Sequence, residues 1–203
     1  MHAEFNQYFY DHVFMTYKKS KGEVNYSSPN DAFFTSVAVD NHGKTDLRGG
    51  KEYHEEKANH AGKVTWAWTK SGIQAIDHKP KSYSLIPYDS WLFGKITFNL
   101  FFPFLPGVPD KDLFGNWGFK MVSETDEKVH LLATPKKSTT RDKITSCELI
   151  LLKPEMTLYA IKRHQIGGNS ATVYIFTNVK RNPPRLPSID LSNYTENKPI
   201  GPE

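Results

Sequence analysis

Thr157–Asn178 reads TLYAIKRHQIGGNSATVYIFTN, and this stretch decides the fold. Side chains of a strand alternate between two faces, so a hydrophobic period of two marks β structure. In Thr157–Arg163, Tyr159 and Ile161 alternate with Leu158 and Ala160. In Thr172–Asn178, Tyr174 and Phe176 alternate with Val173 and Ile175. Between the two runs, Gly167-Gly168-Asn169 supplies the residue types that a tight reversal needs. Two strands around such a turn are an antiparallel hairpin.

The same pattern recurs outward along the chain. Val64–Trp68 (VTWAW) sets Val64, Trp66 and Trp68 on one face against Thr65 and Ala67 on the other. Lys21-Gly22, Asn41-His42-Gly43, Ser71-Gly72 and Lys79-Pro80 read as further turns. Short strands punctuated in this way predict an antiparallel all-β meander. Several of them are apolar on both faces, as in a half-barrel wrapped around a lipid-sized cavity or in a two-layer sandwich. Asp40–Ala61 is polar, carries Gly49-Gly50, and reads as a long loop or a protruding hairpin.

A chain of 203 residues is long enough for one domain with a real core. Aromatics make up 13% against a modest hydrophobic fraction of 38%, which favours wide aromatic strand faces over a helical bundle. The net charge of +4 comes from scattered Lys and Arg residues with no basic arm, which reads as a solvated surface and not as nucleic-acid binding. Cys147 is the sole cysteine, so neither an intramolecular disulfide nor a cysteine metal cluster is expected; within Ser146–Leu152 (SCELILL) it reads as a core hydrophobe. The opening MHAEF has no basic region and no apolar signal core.

Trp91–Pro109 (WLFGKITFNLFFPFLPGVP) is the outlier. It is too apolar for an ordinary loop, yet a spanning helix needs about 20 uninterrupted apolar residues. Here Lys95 and Asn99 interrupt the run, and Pro103, Pro106 and Pro109 forbid a regular helix interior. Such a segment must pack on something or cover something.

Candidate chemistry is sparse. His54-Glu55-Glu56 with His60 invites a metal, but a zinc-protease helix needs its two histidines four apart and these are six apart, so a solvated charged loop is the default and no metal is expected. No nucleophile elbow and no glycine-rich phosphate loop occur. Neither a catalytic residue nor a cofactor is expected, and the sequence does not argue for an enzyme. Trp66, Trp68, Trp91 and Trp117 read as core or as cavity lining. Lys79, Lys81, Lys136 and Lys137 could rim such a cavity, though a Lys-Pro-Lys tip is ordinary soluble punctuation.

Taken in order, several stretches resemble one family. Ala3–Gln7 (AEFNQ), Gly22 and Tyr26-Ser27-Ser28-Pro29 resemble the opening of the LolA family of periplasmic lipoprotein carriers. Ser71–Tyr88 follows the course of a family hairpin, Trp91–Phe114 stands where the family has its hydrophobic lid, and Val129–Lys136 (VHLLATPK) and Leu149–Asn182 resemble its later strands. The match is closer to a LolA-like domain of planctomycete secreted proteins. It covers residues 3–185, and its specificity lies in the order of the motifs. The resemblance implies a mainly β fold: an unclosed antiparallel β-barrel, a strongly curved sheet with a short α-helical lid. It also implies binding of acyl chains of lipids or lipoproteins, a membrane donor or acceptor protein as partner, a monomer, and a periplasmic or secreted location.

Two departures qualify it. Asn30-Asp31-Ala32-Phe33-Phe34 lacks the Arg that holds the family's lid, so the gating mechanism is not carried over. The family carries an N-terminal helix before its AEFNQ-like strand, so the resemblance implies a truncated or mis-started chain whose full form carries a signal peptide. The expected ligand cavity and lid comprise Phe9, Phe14, Phe33, Trp66, Trp68 and Trp91, together with Leu100, Phe101, Phe102, Phe104, Tyr174 and Phe176. Residues 1–185 are expected to form the half-barrel, and the proline-rich 186–203 to lie extended or disordered. A sensor module of the same fold is the alternative function. An enzyme ranks behind it.

Overall fold

Strand pairing organises the molecule. In the computed structural model, residues 1–28, 31–40, 42–56, 62–87, 104, 110–136, 144–181 and 189–197 are described. Their strands are β1 (His2–Asp11), β2 (Thr16–Ser28), β3 (Asp31–Ala38), β4 (Thr45–Arg48), β5 (Lys51–Glu55), β6 (Lys63–Trp68), β7 (Ile73–Asp77) and β8 (Ser82–Ile86). A short helix, α1 (Asp110–Asn116), leads into β9 (Trp117–Glu124), β10 (Lys128–Pro135), β11 (Ile144–Leu152), β12 (Thr157–Gln165), β13 (Ser170–Lys180) and β14 (Thr195–Glu196). All belong to one sheet, ordered β14-β8-β7-β6-β3-β2-β1-β13-β12-β11-β10-β9, with the β4–β5 hairpin attached to β2 off this path. The borders do not pair with each other, so the barrel is unclosed. Pairing is antiparallel except where β14 joins β8 and β5 joins β2.

The order divides the sheet into two meanders. One runs β1-β2-β3-β6-β7-β8, the other β9 to β13, and a long β1·β13 ladder from His2↔Lys180 to Asp11↔Ser170 joins them. Chain neighbours are therefore sheet neighbours, except at this seam, at β14 and where β3 pairs with β6 past the β4–β5 hairpin.

Registers carry the sequence alternation across the sheet. Ala3↔Val24, Val24↔Phe34, Phe34↔Trp66 and Trp68↔Ile73 keep one face apolar through the first meander. Phe5↔Phe176, Tyr174↔Ile161, Ile161↔Leu149 and Leu149↔Leu131 continue that face through the second. We call it the inner face. Its buried residues form one core cluster spanning both meanders, from Ile86 and Trp68 to Trp117 and Cys147. Phe104 and Leu113 pack against it.

Two local readings change. Lys21-Gly22 is not a turn: Gly22 lies in the middle of β2, opposite Phe5 and Ser36. A Cβ there would stand 1.8 Å from the Thr35 carbonyl oxygen and 2.8 Å from the Phe5 ring. The glycine marks a close backbone approach, of the kind found where a sheet bends sharply. The alternation in β12 also breaks. A bulge shifts the register so that Ile150 faces Ala160 while Leu151 faces Leu158, leaving Tyr159 exposed and both Leu158 and Ile161 buried.

Asp40–Ala61 contributes the β4–β5 hairpin. Gly49 and Gly50 turn it with φ of +56° and +76°, the left-handed region that glycine enters without a Cβ penalty. From the tail, Thr195–Glu196 pairs with β8, and the Tyr194 hydroxyl lies 2.7 Å from His78 Nδ1.

Candidate functional site

The inner face is built from aromatic side chains on paired strands. The Phe5 and Phe34 rings stack at 4.7 Å with an interplanar angle of 8°, and the Phe5 ring lies against Gly22. Tyr174 meets both rings edge-on, at 5.9 and 6.3 Å, and lies 6.4 Å from Phe176. Such offset and T-shaped contacts suit the ring quadrupoles. At the other meander's border, Phe104 packs edge-on against Trp117 at 4.9 Å and Phe119 at 6.0 Å.

The residues expected to line a cavity divide by position. Trp68, Tyr174 and Phe176 are buried in the inner-face core, with Trp66 and Phe104 half-buried against it. Phe9 follows Ala3 and Phe5 on the same face of β1 and is half-buried. Phe14 belongs elsewhere: it sits in the β1–β2 turn with 76% of its surface exposed. Phe33 is half-buried on the opposite face, because its neighbour Phe34 is the one that points inward. Trp91, Leu100, Phe101 and Phe102 lie outside the described residues, as does His60. His54 is exposed on β5, a strand and not a helix. Among the described residues no group of three His, Cys, Asp or Glu side chains is placed to hold a metal ion, and no helix is long and apolar enough to cross a membrane.

The outer face holds a second feature, which the sequence reading missed. The β4–β5 hairpin lies against β2 through Thr16↔His54 and Tyr17↔Glu55, and its Tyr53 packs with Tyr10 and Tyr17 in a separate aromatic cluster. Between the hairpin and β10–β13 lies a cavity of about 470 Å³. Ile150, Ala160, Ala171 and Val173 form its floor; Tyr10, Tyr53, Arg48 and Lys51 wall one side, and His130, Glu148 and Lys162 the other. His12 stands at its margin, 2.7 Å from the Tyr53 hydroxyl.

Its charges are organised. Glu148 lies 2.7 Å from His164 Nε2, 3.2 Å from Lys162 Nζ and 3.2 Å from His130 Nε2. Burial works to raise its carboxyl, but the His164 hydrogen bond and the Lys162 charge prevail and hold it below the ordinary range. Tyr10 donates to Asp46 at 2.5 Å, and Arg48 Nε donates to the Tyr10 oxygen at 3.1 Å and to Asp46 at 3.2 Å. Burial first, then the Asp46 hydrogen bond, pushes the Tyr10 hydroxyl well above its usual value. His12 is held below the usual imidazole range by burial, then by Lys51, Lys162 and His164, with Asp11 opposing. These residues are far apart in sequence and show no motif; only the alternation that places Glu148 and Lys162 opposite Leu149 and Ile161 hints at them.

Fold and face together define an open antiparallel half-barrel with an apolar inner face. Among solved structures, the chain is similar to an outer membrane lipoprotein-sorting protein domain from Vibrio parahaemolyticus, at 7% identity over 89% of this chain and 86% of that one, with a TM-score of 0.36. It is also similar to a DUF1329 family protein from Desulfovibrio piger (11% identity, 87% and 83% covered, TM-score 0.30) and to a LolA superfamily protein from Nitrosomonas europaea (7%, 90% and 86%, TM-score 0.29). No protein-family model and no curated protein matches the chain. The fold rests on the strand pairing itself.

Proposed function

We propose that this protein is an extracytoplasmic carrier that binds lipid or lipid-modified protein by holding acyl chains against the inner face of its half-barrel. One observation supports this: a single unclosed sheet bears a continuous aromatic and aliphatic face, from Trp66 and Trp68 through Phe34, Phe5, Tyr174 and Phe176. Acyl chains need area and little direction. Burying about ten methylenes is worth roughly 8 kcal/mol at about 0.8 kcal/mol per CH₂, which corresponds to a dissociation constant on the order of 1 μM before ordering costs. The sequence motifs that resemble the LolA family agree with this reading. The role is binding, with a membrane donor or acceptor as partner, and no step of it needs a catalytic group.

Native mass spectrometry of the gently purified protein should find acyl-sized adducts, and a fluorescent fatty acid should bind and be displaced by unlabelled lipid. Trp66→Ser and Phe9→Ser, both at half-buried inner positions, should weaken the probe about tenfold, a change of ~1.4 kcal/mol, with the β-type circular dichroism spectrum kept. A protein that is free of adducts and ignores the probe is not an acyl carrier.

A further inference from the structure

We infer that the outer face carries a second binding site, between the β4–β5 hairpin and β10–β13, for a small organic anion with a flat apolar body. The cavity of about 470 Å³ lies within the range of small-molecule sites. It is independent of the carrier reading, because its lining alternates away from the inner face: Glu148 is flanked by inward Cys147 and Leu149, and Lys162 by inward Ile161.

The chemistry of the occupant follows from the lining. Arg48, Lys51 and Lys162 bring three permanent cations. Asp46 answers Arg48, and Glu148 answers Lys162 together with His130 and His164. Lys51, at the exposed start of β5, enters no ion pair among the described residues. One positive charge is thus left over beside a cavity partly shielded from water, where it attracts an anion more strongly than on an open surface. The floor of Ile150, Ala160, Ala171 and Val173 offers nothing to a bare inorganic ion but covers an apolar body, and the packed Tyr10–Tyr53 pair bounds it on one side. A carboxylate on an aromatic frame satisfies both halves.

Protons couple to such binding. His12 faces Lys51 and Tyr53 on the hairpin, Lys162 and His164 on β12, and its neighbour Asp11; His130 and Glu148 lie across the cavity. Beside the burial that chiefly lowers His12, an anion offsets the lysine charges that lower it further, so binding favours its protonated form and strengthens as pH falls through the imidazole range.

The test is calorimetric titration of the full chain with 1-naphthoate, beside neutral 1-naphthalenemethanol and inorganic phosphate. Naphthoate should bind at one per chain, with the alcohol and phosphate each at least about tenfold weaker. Lys51→Gln, a change at an exposed hairpin position, should weaken naphthoate about fivefold without altering the thermal melt. Lys51→Gln/Lys162→Gln should weaken it further, and Trp66→Ser should leave it unchanged. His12→Gln should flatten the pH dependence. The site is refuted if naphthoate fails to bind, if the alcohol binds equally well, if both lysine variants bind like the parent, or if Trp66→Ser alone removes binding.

Discussion

Gly22 shows how a residue decides by what it lacks. As one half of Lys21-Gly22 it reads as a turn, yet Thr35 O and the Phe5 ring occupy the space a side chain would need. Gly22→Ala should therefore destabilise the fold by about 3 kcal/mol through forced backbone displacement, read as a lowered urea midpoint with an unchanged slope. A midpoint within experimental error of the parent would remove the bend from the account. The same scale explains a misplaced residue. Phe33 and Phe34 are adjacent and equally apolar, and only the partner strand decides which points inward, here through Phe34↔Trp66. Composition is blind to that choice. Tyr174 and Phe176 were more legible, because Val173 and Ile175 between them fix the period without a bulge.

At the scale of elements, β14 is held by side chains as much as by its two paired residues. His78 spans from Thr65 Oγ1, 2.8 Å from its Nε2, to the Tyr194 hydroxyl at its Nδ1, and the Tyr83 hydroxyl donates to Glu196 at 3.0 Å. His78 is held below its ordinary range by burial and then by Lys63, with Asp77 opposing. For a histidine with a depressed folded pKa, the unfolded state binds more protons between the two values. Its stabilising contribution is thus complete above the unfolded value near 6.5 and is lost as pH falls through the folded one. Hydrogen exchange at the Thr195 and Asn197 amides should accelerate between pH 7 and 5, once corrected for intrinsic rates, and Tyr194→Phe should reproduce the effect at pH 7. Uniform exchange across that range would detach His78 from the strand. None of this was legible in a proline-rich tail, since two-residue strands have no period to detect. The β4–β5 hairpin was half legible: Gly49-Gly50 announced a turn, but nothing local tells that its tyrosine docks on Tyr10 and Tyr17.

Across the whole molecule, alternation and turn spacing were enough to read an antiparallel meander, because most paired strands are near neighbours in sequence. They left half-barrel and sandwich open, and only the resemblance to the LolA family pointed to an unclosed barrel. They could not reveal the outer cavity, which assembles hairpin and sheet residues from distant parts of the chain. The lone cysteine offers a global probe. Cys147 is 1% exposed within the inner core, and burial pushes its thiol up to about 12. A thiol reagent should label it only as fast as the molecule opens, with full labelling in denaturant, and lipid bound to the inner face should slow the reaction further. Rapid labelling of the native protein would mean that this face is open to solvent at β11.

The β1·β13 seam has a consequence for how the molecule is assembled. Glu4 pairs with Thr177, so the ladder that joins the meanders brings the first strand against the thirteenth and closes the longest loop among the paired strands. The entropy of that closure falls on a single ladder, while the other long pairings in the main path join strands that follow one another or, for β3 and β6, are separated only by the β4–β5 hairpin. The inner face is completed only there, where Phe5 meets Phe176. In this sense the half-barrel is two clasped hands, and its ligand face exists only while they hold.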